Sequence, residues 1–125
     1  MPNQARILVI EDDAHIRRLV RAAVQRIGFN ASEAASAREG LSLLDIEKPD
    51  VVLLDLGLPD RDGIELIQII RARSKAAVLI ISAREDVSEK VAALDLGADD
   101  YIAKPFDTEE DRKSTRLNSS HRLTS

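Results

Sequence analysis

Four short, uninterrupted apolar runs recur along the chain: RILVI at 6–10, VVLLDL at 51–56, AVLIIS at 77–82 and the weaker YIA at 101–103. Runs of this length without polar alternation imply strands buried on both faces, the arrangement of a parallel sheet covered by helices on each side. A fifth candidate, FNASEA at 29–34, mixes polar and apolar residues as an edge strand does. Between the runs the period becomes helical. Ile16, Leu19, Val20, Ala23, Val24 and Ile27 fall at spacings of three and four on one broad face, and Gly28 follows as a stop. Ser36 with Glu39 reads as a capping box for a second helix that ends before Lys48-Pro49 and turns Leu41 and Leu44 inward. Gly63 precedes a third, with Leu66, Ile67 and Ile70 inward. A fourth begins near Asp86 or Ser88, is expected to bury Val87, Val91 and Leu94, and stops at Gly97.

Strict alternation of strand and helix predicts a doubly wound α/β fold with a five-stranded parallel sheet, because each crossover is right-handed and a dozen or so residues long. The common order for five strands is 2-1-3-4-5. In that order the connections reverse beside strand one, and ligands bind at the carboxyl ends of strands one and three. The 125 residues suffice for one such domain. There is no cysteine, which excludes disulfide frameworks, thiolate metal sites and cysteine nucleophiles. No apolar run is long enough to span a bilayer, and residues 1–15 carry four charged side chains where a signal peptide would be apolar. The expectation is a cytoplasmic chain without membrane contact.

The 18 basic and 22 acidic residues are unevenly placed. Residues 111–125 hold Arg112, Lys113, Arg116 and Arg122 against Asp111, so the first 110 residues carry a net charge of −7. Such a body repels nucleic acid. Phe29, Tyr101 and Phe106 are the only aromatic residues, too few to make a stacking platform for single strands.

Strand one runs into Glu11-Asp12-Asp13 and strand three ends on Asp55. The predicted order makes these strands neighbours about 4.8 Å apart, so the carboxylates converge on one spot and need a cation. Oxygen-only ligands favour a hard ion, and Mg²⁺ fits best. A helix cap accounts for one of the acids, but not for a carboxylate closing an apolar buried strand. Ser82 closes strand four and Lys104 follows strand five, both at carboxyl ends facing the same crevice. The hydroxyl can donate to a phosphoryl oxygen and the ammonium can bind an anion as a point charge. Glu11, Asp12, Asp55, Ser82 and Lys104 together describe a carboxylate nucleophile that accepts a phosphoryl group. Two rivals fit less well. A dehalogenase-type phosphatase needs an acid two residues after its nucleophile, where Gly57 stands, and a flavodoxin-like cofactor binder needs a phosphate loop where Glu-Asp-Asp stands.

The blocks LVIEDDAHIRRLV, LLDLGLPDRDGIELI and ISAREDVSEKVAALDLGADDYIAKPF, with their spacing, resemble the receiver domain of bacterial two-component response regulators over residues 5–110. The last block is similar to the subfamily whose receivers precede a winged-helix DNA-binding domain, and LDLGLPDRDGIE to a regulator of a potassium-transport operon. The resemblance implies that Asp55 takes phosphate from the phosphohistidine of a sensor histidine kinase. It implies that Asp12, Glu11 and the Gly57 carbonyl hold Mg²⁺, and that Lys104 contacts the phosphate. Ser82 and Tyr101 match the family's switch pair, and Lys104-Pro105 matches a bond that is cis in the family. Glu89, Lys90, Asp99 and Asp100 match a face through which phosphorylated receivers form homodimers. The chain is thereby expected to be a phosphoacceptor switch controlling transcription, self-dephosphorylating but no turnover enzyme; an unphosphorylated interaction module is the alternative. His15 and the basic pair Arg17 and Arg18 read as solvent-facing residues of helix one, the pair lying on the surface where receivers meet their kinase.

Residues 1–110 are expected to form the receiver. The pattern ends after Asp107 and Glu110, a capping pair for a fifth helix. The remainder, DRKSTRLNSSHRLTS, has two leucines in fifteen residues and no helical face, and reads as a polar, non-native tail. Without a winged-helix domain the chain itself is not expected to bind DNA.

Overall fold

The computed structural model describes residues 5–82 and 87–103, apart from the side chains of residues 87–89 and 103. Strands and helices alternate: β1 (Arg6–Ile10), α1 (Ala14–Ile27), β2 (Asn30–Ala34), α2 (Ala37–Glu47), β3 (Val51–Asp55), α3 (Gly63–Arg73), β4 (Ala77–Ser82), α4 (Val87–Asp95) and β5 (Asp100–Ala103). The five strands form one parallel sheet in the order β2-β1-β3-β4-β5. This is the architecture expected from the alternation. Local chemistry sets several helix ends. Asp13 caps α1 by accepting from the amides of His15 and Ile16, and Gly28 closes it in the left-handed region at φ 114°. Ser36 accepts from the amide of Glu39, while the Glu39 carboxylate reaches the amide of Ala35, one residue before the reciprocal position of a standard capping box.

The two faces of the sheet are packed unequally. Leu8, Ile10, Val52, Leu54, Val78 and Ile80 lie under α2, α3 and α4, together with Leu44, Leu66, Ile67, Ile70 and Ala93, and form the larger cluster. The alternate side chains Ile7, Val9, Leu53 and Ile81 face α1 and pack with Val20 and Val24. Among the described residues, one helix lies on this face and three on the other, and one covers a narrower band.

The burial of two helices departs from expectation. On α1 only Val20 and Val24 are buried, with Ile16 partly so; Leu19 and Ala23 are exposed, and Ile27 is 71% exposed. At 100° per residue Leu19 and Ala23 stand some 60–100° around the helix from Val20, off the line of contact with β1 and β2, and Ile27 lies in the last turn. On α4 the buried residue is Ala93; Val91 is 50% exposed and Leu94 is exposed as well. The α4 backbone approaches the sheet through a small side chain, which lifts its larger ones toward solvent. Val87, Lys104-Pro105, the fifth helix and residues 111–125 fall outside the described side chains and residues. No described helix is long and apolar enough to cross a membrane.

Gly63 begins α3 against the backbone of Leu56, and a Cβ there would lie 2.5 Å from the Leu56 Cα and 2.8 Å from its carbonyl oxygen. No side-chain rotation relieves a clash with backbone. Gly63→Ala is therefore expected to destabilise the fold by about 1–3 kcal/mol, read as a lowered urea midpoint with an unchanged slope; an unaltered midpoint would contradict the packing described.

Candidate functional site

In the β1–β3 register Ile10 stands opposite Leu54, so the next residues along, Glu11 and Asp55, leave the sheet side by side. Glu11, Asp12 and Asp55 each offer a carboxylate oxygen, and these oxygens all lie within 4.8 Å of one another. Glu11 is 2% and Asp55 6% exposed, whereas Asp12 faces solvent. The sequence-based convergence is therefore present in the fold. Two buried carboxylates and one exposed one form a concentrated negative site open on one side, and charges so close repel strongly where water is excluded. An all-oxygen donor set with an open side fits Mg²⁺, which keeps part of its water shell and takes one or two carboxylates.

Local hydrogen bonds fix this geometry. The Asp13 amide donates to Glu11 Oε2 at 3.0 Å, and the Gly57 amide donates to Asp55 Oδ1 at 3.2 Å. A Cβ at Gly57 would come within 3.7–3.8 Å of both Asp55 oxygens, so glycine keeps the approach to that carboxylate open. Ser82 closes β4 at 2% exposure. In the β4–β5 pairing it stands opposite Ala103, with Tyr101 opposite Ile80, two residues back along the same strands. Tyr101 is half-buried against the larger core cluster, and Lys90 Nζ lies 6.0 Å from its ring centroid, the outer limit of a cation–π contact.

Lys90 and Asp100 are exposed. Asp99 is engaged within the domain: its Oδ2 accepts from the Val78 amide at 2.7 Å and stands 3.5 Å from Arg71 Nη1. The Glu89 side chain and Lys104 lie outside the described residues. His15 is exposed in the first turn of α1, as expected. Arg18 is exposed, but Arg17 is not the solvent-facing cation anticipated: its side chain is 17% exposed and reaches β2 and the β1–α1 loop.

Sequence reasoning missed Asp60. It lies in the loop between Asp55 and α3, and its two oxygens accept from the amides of Ala37 and Arg38 at 2.9 and 3.0 Å, across more than twenty residues. These two amides, at the free N-terminus of α2, hold the Asp60 carboxyl below the ordinary aspartate range. No spacing rule marks a cap supplied from a distant loop.

A family model described as the response regulator receiver domain matches residues 7–116. The chain belongs to this family. It is 48% identical over 100 residues to the KDP operon transcriptional regulatory protein KdpE of Escherichia coli (strain K12), and the match covers 80% of this chain and 44% of that protein. It is 43% identical over 114 residues to KdpE of Staphylococcus aureus, covering 91% of this chain and 49% of the relative. The chain thus spans about half the length of these relatives. Among solved structures, a CheY-like receiver domain protein from Methanospirillum hungatei superposes with TM-score 0.78 at 26% identity, each chain being 98% covered. The BeF3-activated receiver domain of Klebsiella pneumoniae RstA does so with TM-score 0.77 at 26% identity, covering 90% of this chain and 96% of that one. Receiver domains are phosphoacceptor switches phosphorylated by sensor histidine kinases, and the family binds Mg²⁺ at an acidic pocket.

Because the folded-state pKa of Asp60 is lowered, its contribution to stability is complete above the ordinary aspartate value and disappears as pH falls through the lowered one. Asp60→Ala is expected to lower the urea midpoint at neutral pH, the gap to wild type narrowing once the pH drops well below about 3.9. A gap that stays constant through the acid range would show that the cap is not ionic.

Proposed function

We propose that this domain accepts one phosphoryl group on Asp55 from the phosphohistidine of a sensor kinase. The observation that carries the reading is the meeting of the Glu11, Asp12 and Asp55 oxygens within 4.8 Å, with Asp55 held almost out of water. An Asp55 oxygen attacks phosphorus, the phosphorus–nitrogen bond breaks, and its electron pair leaves with the imidazole, which yields an acyl phosphate. Mg²⁺ held at this site would offset the negative charge of the approaching phosphoryl oxygens. Glu11 and Asp12, with the Gly57 carbonyl, would hold that ion. The Gly57 amide keeps the nucleophile oriented, the buried Ser82 hydroxyl is placed at the strand end to donate to a phosphoryl oxygen, and Lys104 supplies the cation in the sequence.

The switch follows from the same contacts. Phosphorylation adds about −1.5 to −2 charges to a site already crowded with anions, so Ser82 is drawn toward it and the half-buried Tyr101 ring moves into the vacated space. The altered face is that of α4, β5 and the expected fifth helix, where Lys90, Glu89 and Asp100 supply charged groups for a homodimer; Asp99, exposed but already engaged by the Val78 amide and near Arg71, is a weaker member of that set. The relatives' printed names support control of transcription, and the KDP operon in one of those names is in keeping with the potassium-transport operon that the sequence resemblance implies as the target. Residues 1–110 would then be the receiver and 111–125 a polar tail.

Incubation with acetyl phosphate and Mg²⁺ is expected to add one phosphoryl mass to the intact protein, with no addition in Asp55→Asn or in excess chelator. An unchanged mass in folded wild-type protein would refute the reading and leave a plain interaction module.

A further inference from the structure

The acidic loop after β1 is held from outside by a cation that the phosphoacceptor chemistry does not use. Arg17, one turn into α1, donates from Nη1 to the Glu11 carbonyl at 2.9 Å and, at a longer 3.5 Å, to the Asp12 carbonyl. Its Nε donates to Glu33 Oε1 at 2.9 Å, and Glu33 is also paired with Arg21. Glu33 stands on β2 opposite Val9, so the guanidinium is braced against the sheet beside the strand that carries the acids. At 17% side-chain exposure, with Glu33 at 21%, this is not a loose surface pair.

The contact matters because of where the two carbonyls lie. In a trans peptide the carbonyl and the following N–H point in opposite directions. Drawing the Asp12 carbonyl toward Arg17 therefore turns the Asp13 N–H the other way, and that N–H donates to Glu11 Oε2 at 3.0 Å. The Glu11 carbonyl is fixed by the same guanidinium, and the Glu11 amide by the Ala34 carbonyl at 3.0 Å. Arg17 thus holds the first of the two peptide planes that flank Asp12 and reaches the second at the limit of hydrogen bonding, the second ending on the Glu11 carboxylate.

We infer that Arg17 is the positioning residue of the metal-binding half of the site, orienting the Glu11 and Asp12 carboxylates through their own peptide planes. The inference rests on the reading of those carboxylates as Mg²⁺ ligands. A planar fork that bonds two carbonyls and a carboxylate at once is a task lysine cannot reproduce, although it keeps the charge.

Titration of the full chain with Mg²⁺ by calorimetry tests this. Arg17→Lys leaves the net charge unchanged and is expected to weaken Mg²⁺ binding by roughly tenfold, the scale for groups that orient metal ligands. Arg21→Lys, which disturbs the same Glu33 but touches neither carbonyl, is expected to bind as wild type does. A merely structural role would lower the melting temperature of Arg17→Lys without moving its Mg²⁺ affinity. With acetyl phosphate, the Arg17→Lys deficit is expected in the Mg²⁺ concentration required and not in the rate at saturating Mg²⁺. Wild-type affinity in Arg17→Lys, or equal weakening in Arg21→Lys, overturns the positioning role; a wild-type chain that takes up no Mg²⁺ overturns the metal reading and the role together. If Arg17→Lys does not fold, Glu33→Gln removes the carboxylate that aims the guanidinium, and an unweakened affinity there also overturns it.

Discussion

Like charges do not gather at the end of a buried sheet without a compensating reason, and the adjacency of β1 and β3 forces them to gather here. Both strands are apolar up to their last residues, so burial of Val9, Ile10, Leu53 and Leu54 fixes the register, and the register fixes where Glu11 and Asp55 emerge. The core thus enforces a proximity that electrostatics opposes. A divalent cation would relieve it, and on the proposed reading an incoming phosphoryl group, itself anionic, adds to the need for one. Gly57 belongs to the same logic, since this side of the Asp55 carboxylate carries no Cβ and presents an amide to it.

The remaining acids around the crevice do a different job. Asp13 caps α1, Asp62 caps α3, and Asp60 caps α2 from the loop after β3. The loops after β1 and β3 are thereby tied to the positive ends of helices, and carboxylates that would add to the repulsion are spent on free amides instead. Much of the −7 carried by the first 110 residues is therefore local structure rather than a field for steering partners. The Asp60 bonds also span two crossovers, so the loop that carries Gly57 cannot shift without disturbing the start of α2.

Most of the fold was legible because its signals are local. RILVI, VVLLDL and AVLIIS became strands within a residue of their expected bounds, and Ser36, Gly28 and Gly97 acted where their chemistry placed them. The converging acids followed from strand order alone. What stayed hidden was non-local. Nothing in the spacing of Arg17 and Glu33, or of Asp60 and Ala37, announces that these pairs touch, because each contact is created by the sheet order and not by either segment. The apolar faces of α1 and α4 were read too broadly for a related reason: helical period shows which side is apolar, but only the packed sheet decides how wide a band it covers. Leu19 and Val91 satisfy the period and miss the contact.

On the proposed reading, the same distribution of fastenings selects the route by which the switch acts. Toward β2 the site is braced by Arg17 on Glu33, and toward α2 by Asp60, both through several hydrogen bonds. Toward β4 and β5 the next groups are a single hydroxyl at Ser82 and a half-buried ring at Tyr101, whose neighbour α4 keeps Val91 and Leu94 exposed and seats itself on Ala93. A charge added at Asp55 acts on the donors within its reach, and a serine hydroxyl on the β4 side can donate to a phosphoryl oxygen, whereas the Arg17 guanidinium and the Asp60 carboxylate are spent on partners of their own. On that reading the fastenings toward β2 and α2 favour a response on the β4 and β5 side of the site.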